Sequence, residues 1–470
     1  MLKKIAEGNV YVWLAFHFIL GILAGINSIF VIAWLYIIIF NTLSAAFTNK
    51  GKVFLPLFFS YYIPFEVFGR MLKLTPYIPQ ESGKYLCALF LILGLVYKLN
   101  NTGKFKINKI GAAIVFLCMP SIVLMSYEGF WDNLVFAWFG IFDLGLFVIF
   151  FSNFVFSKEE IIKLFRMMVL PVITMCSYLI FNTLSISKIE YTVGANAAAA
   201  GNFGPNQVAS SLGIGIFILA IALIMNYRLY KLKIIDIALL LIIVFRCLLT
   251  VTRGGAFSAV LGILPVYFLG KTKGVSNQFA KKIFTMIVIC AGVYFMFQFV
   301  NKLSGNVLAE RYTGETLDTQ SGDKEADLET QTDGRSGILF AELEIFSRHP
   351  IFGVGPGQCT DYWNEFDIES NTASHTEFTR LLAEHGLFGL IIDILLFYSF
   401  FDVIRRRRRN KDNFAYFFNF SFLIFALSMC AHSAMRTMIT PFFFGLGFAG
   451  IHVTKVLKVK DTTPQLLPDA

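Results

Sequence analysis

Residues 234–270 read IIDIALLLIIVFRCLLTVTRGGAFSAVLGILPVYFLG. Almost every position is apolar, over a length that fits two membrane-spanning helices, which need about 20 apolar residues each and fewer inside a bundle. The apolar run breaks only at Thr252-Arg253-Gly254, so the stretch reads as two spans, 234–252 and 254–270, joined by a tight turn. Gly254 and Gly255 lack a Cβ and let backbone or ligand approach closely. Arg246 lies seven residues before Arg253 on the same helical face, inside the apolar run. An arginine at mid-membrane costs roughly 2.5–3.5 kcal/mol on insertion scales, so it signals an anionic ligand, a headgroup contact or a buried structural pair.

The rest of the chain has the same character. Hydrophobic residues make up 56% of the 470 and charged residues 15%, well below the roughly 25% charged of a soluble domain. The fold class is an all-α polytopic membrane protein. A net charge of +9 would elsewhere suggest nucleic acid, but membrane proteins concentrate Lys and Arg in cytoplasmic loops for topological reasons, so no nucleic-acid partner is implied. Cys87, Cys118, Cys176, Cys247 and Cys290 fall inside apolar runs as small buried hydrophobes, and only Cys359 and Cys430 could meet an oxidising compartment. Lys3 and Lys4 precede an apolar stretch with no small-residue cleavage site, which reads as a retained first span.

About fourteen spans are expected: 9–25, 28–47, 53–69, 84–99, 109–127, 132–154, 162–183, 207–226, 234–252, 254–270, 283–300, 387–404, 414–431 and 438–455. With the N-terminus inside, 27 of the 40 Lys and Arg fall in cytoplasmic segments, including the run Arg405 to Arg409. Both termini are then cytoplasmic, and 184–206, 301–386 and 431–437 lie on the far side. The chain divides into eleven spans over 1–300, a large outer loop with amphipathic helices over 301–386, and three spans with a tail over 387–470. The polar tract 314–335, GETLDTQSGDKEADLETQTDGR, reads as solvated loop.

The outer segments carry the distinctive residues. Residues 374–389 read SHTEFTRLLAEHGLFG, where Ser374 as N-cap and Glu377 three residues on suggest a capping box with His375 at the first helical position. The helix dipole disfavours an imidazolium there, which makes His375 a candidate base. Residues 335–358, RSGILFAELEIFSRHPIFGVGPGQ, read as an amphipathic helix ending before Pro350, with Ile338, Leu339, Leu343, Ile345 and Phe346 as its apolar set. Arg335 opens that helix, where cation and dipole together suit an anion. GVGPGQ follows a helix, not a strand, so it is a poor nucleotide fingerprint. Residues 195–213, ANAAAAGNFGPNQVASSLG, offer Asn206 as a cap for the eighth span. His349, His385 and His432 lack metal-site spacing, and no metal is expected.

GNFGPNQVA, TVTRGG, RSGILFAELEIFSRHPIFGVGPGQ and SHTEFTRLLAEHGLFG on one face of a many-spanning chain together resemble the O-antigen ligase superfamily, which also holds O-antigen polymerases and bacterial protein O-oligosaccharyltransferases. The motif-bearing region runs from about 195 to 390. The resemblance implies transfer of a glycan from undecaprenyl diphosphate to an acceptor hydroxyl on the periplasmic face of the bacterial inner membrane, without metal, nucleotide sugar or other cofactor. It implies His375, Arg335 and Arg253 as catalytic residues. Arg246, Asn206, Arg380 and Arg436 are expected to bind substrate, and the acceptor is a lipid A core, a growing glycan or a protein. Thr376 and Thr379 depart from the ligase pattern, which has Asn, Ser or Gln after the histidine and Leu three residues later. The competing class is a transporter of lipid-linked sugars, which would carry charges through the bilayer. Here, apart from Arg246, the spans hold few charges, among them Asp143, Asp236 and Asp393.

Overall fold

The computed structural model describes residues 1–46, 51–74, 77–102, 105–182, 191, 196–269, 278–313, 335–368, 374–409, 413–432 and 434–452. The tract 314–334 lies outside them. The described chain is mostly helical, and five helices are long and apolar enough to cross a membrane: Ile29–Ala46, Phe130–Phe151, Lys158–Asn182, Pro205–Ile224 and Leu387–Arg405. Val10–Ile26, Ser82–Tyr97, Lys109–Leu124, Gly254–Phe268 and Phe417–Cys430 are shorter apolar helices. Among the described residues, length and composition thus qualify five spans, with five shorter apolar helices beside them, against the fourteen expected. The protein is a multi-pass, helical membrane protein.

Glycines set how closely the helices pack. Gly255 opens the 254–269 helix where a Cβ would collide with the Ala209 carbonyl of the 205–224 helix, and a Cβ at Gly213 would stand 2.6 Å from the Gly255 carbonyl oxygen. Gly111 and Gly145 face each other in the same way. Without a hydrophobic driving force between helices in lipid, such small-residue contacts supply the van der Waals energy of association. The helices Gly51–Met71 and Pro205–Ile224 are buried along most of their length and form the centre.

Contacts between connecting segments fall into two sets at opposite ends of the bundle, as the alternation of spans requires. One end joins Glu7 to Lys163 (2.6 Å), Lys106 to Asn153 (3.0 Å) and Arg166 to the Leu229 carbonyl (2.5 Å). The other joins Asn196 to Thr250, Ser121 to His385 and Glu66 to Met438. The large loop belongs to the second end.

The fold is helical as expected, with one short addition: β1 (Val155–Ser157) and β2 (Gly450–His452) pair in parallel, with Phe156 opposite Ile451. The segment 438–455 is not one spanning helix, because its helix runs only Ile439–Leu446 before the chain turns into β2. Helix ends leave carbonyls without partners. Asn419 Nδ2 donates to the Gly447 carbonyl (2.5 Å) and the Ala449 carbonyl (2.9 Å), which stabilises the early stop.

Gly255→Ala should lower the thermal unfolding temperature, since overpacking costs typically 1–3 kcal/mol. Gly292, which has nothing within 4 Å of an added Cβ, should tolerate alanine with a gain of roughly 0.5–1 kcal/mol. Equal effects at the two positions, measured in detergent, would contradict the close approach at Gly255.

Candidate active site

The turn between the Asn413–Cys430 helix and the Ile439–Leu446 helix is the centre of the site. Backbone N–H groups at such a turn have no helical partner. Two buried carboxylates take them: Glu377 Oε2 accepts from Met435 N at 2.8 Å, and Glu66 Oε2 accepts from Met438 N at 3.0 Å. Charge-assisted bonds of this kind are about twice as strong as neutral ones.

Glu377 comes from the helix Glu377–His385, and here the structure corrects the expected capping box. Thr376, not Ser374, is the N-cap, and no side chain caps the helix. Ser374 Oγ instead donates to the Thr376 carbonyl (3.0 Å), and the Ser374 carbonyl accepts from the Arg436 guanidinium. Glu377 does not reach back to the chain start because its carboxylate is committed to Arg380 and Met435. His375 thus lies ahead of the helix, between two residues whose backbone carbonyls are both engaged.

The helix Arg335–Arg348 packs against it and begins at Arg335 as expected, but its buried stripe is Ile338, Ala341, Glu342 and Ile345, while Leu343 is exposed. Glu342 accepts from the Thr379 hydroxyl, which also meets Thr376. Its stripe continues into a small core with Trp363, Cys359 and Ala383. Gly353 and Gly355 have positive φ values of 71° and 100°. The strand-like stretch between them bonds Val354 N to the Ala383 carbonyl (2.9 Å) and Gly355 N to the Glu384 carbonyl (3.0 Å). The GVGPGQ glycines therefore serve a backbone latch.

His432 lies in the central turn, 5% exposed, and neither ring nitrogen meets a partner in hydrogen-bonding geometry. Its ring occupies the space a side chain at Gly254 would fill, so the first glycine after Arg253 admits this imidazole. Burial, and then the neighbouring Arg335 and His375 groups, with Arg436 also near, push its pKa down to about 3. Its turn is tied to the residue before His375, because the Arg436 guanidinium meets the Ser374 carbonyl. Arg253 adjoins Gly254 and lies close enough to Tyr312 to act on its phenol.

Of the sequence-predicted residues, Arg436 thus meets the Ser374 carbonyl next to His375, and Arg253 adjoins the glycine that admits the His432 ring. Asn206 is not a cap: Gly204 holds that position, Pro205 opens the helix, and the Asn206 carbonyl accepts from Ser210 Oγ (2.8 Å). Arg246 is buried in the protein and donates to the Ala199 carbonyl (3.2 Å), bracing the loop before Asn206. Arg380 is buried between Glu377 and Glu384 and also donates to the Ala137 carbonyl (3.4 Å). Sequence reading missed His432, Glu342 and Glu377 as site residues. For Glu342 the signal was present, a carboxylate within the i, i+3, i+4, i+7 stripe that faces the core.

Burial pushes the Glu342 carboxyl up to about 7 from a reference of 4.5, against hydrogen bonds from Ser374 and Thr379. Because the folded protein holds this proton more tightly than the unfolded chain, its contribution to stability is complete below about 4.5 and is lost as pH rises through about 7. Glu342→Gln removes that titration. The unfolding temperature of the variant minus that of the wild type should therefore rise between pH 4.5 and 7; a flat difference would count against a buried, proton-holding Glu342.

Residues 237–394, about a third of the chain, match the family model described as O-Antigen ligase. The matched segment contains Arg246, Arg253, Arg335, His375 and Arg380, while Asn206, His432 and Arg436 lie outside it. No curated protein matches the chain. Residues 237–394, which contain His375 and these arginines, are thus similar to the O-antigen ligases, a superfamily whose members are glycosyltransferase-type enzymes.

Proposed function

We propose that the chain transfers a glycan from undecaprenyl diphosphate to an acceptor hydroxyl at the periplasmic face of the bacterial inner membrane, as an O-antigen ligase-type glycosyltransferase that needs no metal. The observation that carries this reading is the Arg436 guanidinium on the Ser374 carbonyl beside His375, in the turn whose His432 packs on the glycine after Arg253. A lipid diphosphate holds its charges at headgroup level, and planar guanidinium forks match its oxygens.

In the proposed step the acceptor oxygen forms a bond to the anomeric carbon while the bond from that carbon to the diphosphate oxygen breaks. The acceptor proton passes to a ring nitrogen of His375. The electron pair leaves with the diphosphate, whose growing negative charge is stabilised by Arg335, Arg253 and Arg436. His432, kept neutral, offers one donor and one acceptor to a substrate oxygen without competing for the acceptor's proton. Polymerase and protein oligosaccharyltransferase activities would use the same step with a different acceptor.

His375→Ala should lower single-turnover transfer by about 10²–10⁴-fold while donor binding persists. Near-normal transfer would remove the base. Arg253→Lys and Arg335→Lys retain the charge but lose the fork, so turnover should fall with expression unchanged; full activity in both would sink the diphosphate role. For the orientation, periplasm-dependent reporters fused after residues 190, 330 and 434 should be active, and those after 104, 275 and 408 silent. A single reversed position breaks the topology.

A further inference from the structure

Beside the catalytic turn, at the same end of the bundle, a cavity of about 210 Å³ opens along the Gly51–Met71 helix. Tyr62, Phe65 and Phe203 give it aromatic walls, and Glu66, Arg70 and Gln80 give it hydrogen-bonding groups. It lies below the roughly 300–1,000 Å³ of a pocket that takes a whole ligand, so it suits one residue of a larger molecule. Two connections bind it to the site. Phe203 stands in the loop that leads to Asn206, and the Glu66 carboxylate that lines the cavity also holds the Met438 N–H of the turn carrying His432 and Arg436.

The charge pattern selects the kind of molecule. Arg70 donates to Glu66 (2.7 Å) and to both oxygens of Glu81 (3.0 and 2.9 Å), so its positive charge is already matched by two carboxylates. Lys84 adds a further contact to Glu81 at 2.9 Å. An anion would gain little from this arginine and would face Glu66, while Lys73, the other cation on the lining, is exposed at its rim, where solvent screens it. A ring of hydroxyl groups, by contrast, finds carboxylate acceptors, an amide and flat aromatic faces together. Tyr62 and Ser82 already pair at 3.2 Å and keep the deep wall ordered.

We propose that this cavity is a subsite for one uncharged sugar residue of the acceptor glycan. Its assignment to the acceptor rests on the transfer reading above, which gives the donor's diphosphate to Arg253, Arg335 and Arg436, none of which lines this cavity; its assignment to a sugar does not. Exposed Gln80 reads the hydroxyls and Phe203 stacks on the ring, which holds the acceptor beside the turn that carries His432 and Arg436.

The test uses the full chain in lipid nanodiscs with methyl glycosides of glucose, galactose and N-acetylglucosamine as probes, followed by ligand-observed NMR. At least one glycoside should bind, and Gln80→Ala and Phe203→Ala should each weaken it at least fivefold while the unfolding temperature of Gln80→Ala stays at the wild-type value. Absence of binding for all three probes, binding indifferent to both variants, or displacement by inorganic phosphate each overturns the sugar subsite. In the transfer assay the same variants should raise the acceptor KM at least fivefold and leave donor affinity and kcat within twofold. A rise in donor KM instead overturns the acceptor assignment. Sugar binding in a protein that transfers no glycan overturns the transfer reading and leaves the subsite standing.

Discussion

The site depends on one buried carboxylate. Glu377 takes the Arg380 guanidinium on one side and the Met435 N–H on the other. A charge this deep is tolerable only while every partner stays in place, because removing one leaves the rest uncompensated at a cost of about 3–5 kcal/mol. The consequence is geometric. The helix next to His375 and the turn that carries His432 and Arg436 move as one piece, and Glu66 grips the same turn from the bundle side through Met438.

The large loop gains its order from the same economy of backbone groups. Its small core around Trp363 could not hold it against the bundle alone. His385 Nδ1 meets Ser121 Oγ at 2.6 Å, and Gln358 donates to the Leu124 carbonyl at 2.8 Å, so the loop is fastened to the segment after the 109–117 helix. Burial drives the His385 pKa down to about 3, so this imidazole stays neutral at physiological pH and the fastening carries no buried charge. The result is a loop whose helices are positioned to the precision of the bundle, which reactions between two bound substrates require.

The helical, multi-pass character of the fold was legible because apolar run length is a property of local sequence. The helix boundaries at Arg335 and before Pro350, and the turn at Arg253, followed from dipole, proline and glycine chemistry. What failed were places where tertiary partners override local preference. Ser374, Thr376 and Glu377 spell a capping box, yet Glu377 finds a buried arginine and a distant backbone N–H, and both outweigh a cap of about 1 kcal/mol. The span at 438–455 was apolar enough to cross, but Asn419 rewards an early stop. Arg246 and Arg380 looked like ligand arginines because a lone sequence cannot display the carbonyls and carboxylates that meet them. His432 was passed over because its distinction is spatial: only the packing of Gly254 against its ring brings it among the arginines.

Thr379 illustrates how a departure from a family pattern should be weighed. A leucine at that position would be apolar in an apolar neighbourhood, and on pattern alone the threonine counts against ligase activity. In the structure its hydroxyl donates to Glu342, a carboxylate with no exposure, and leucine would withdraw that donor. An unsatisfied buried group costs about 1–3 kcal/mol, more when charged, so Thr379 and Glu342 form a unit that stands or falls together. The threonine is thereby accounted for by a partner on the neighbouring helix, and it carries no information about which acceptor is used. Acceptor choice has to be sought where an acceptor would lie, in the lining of the cavity beside the His432 turn.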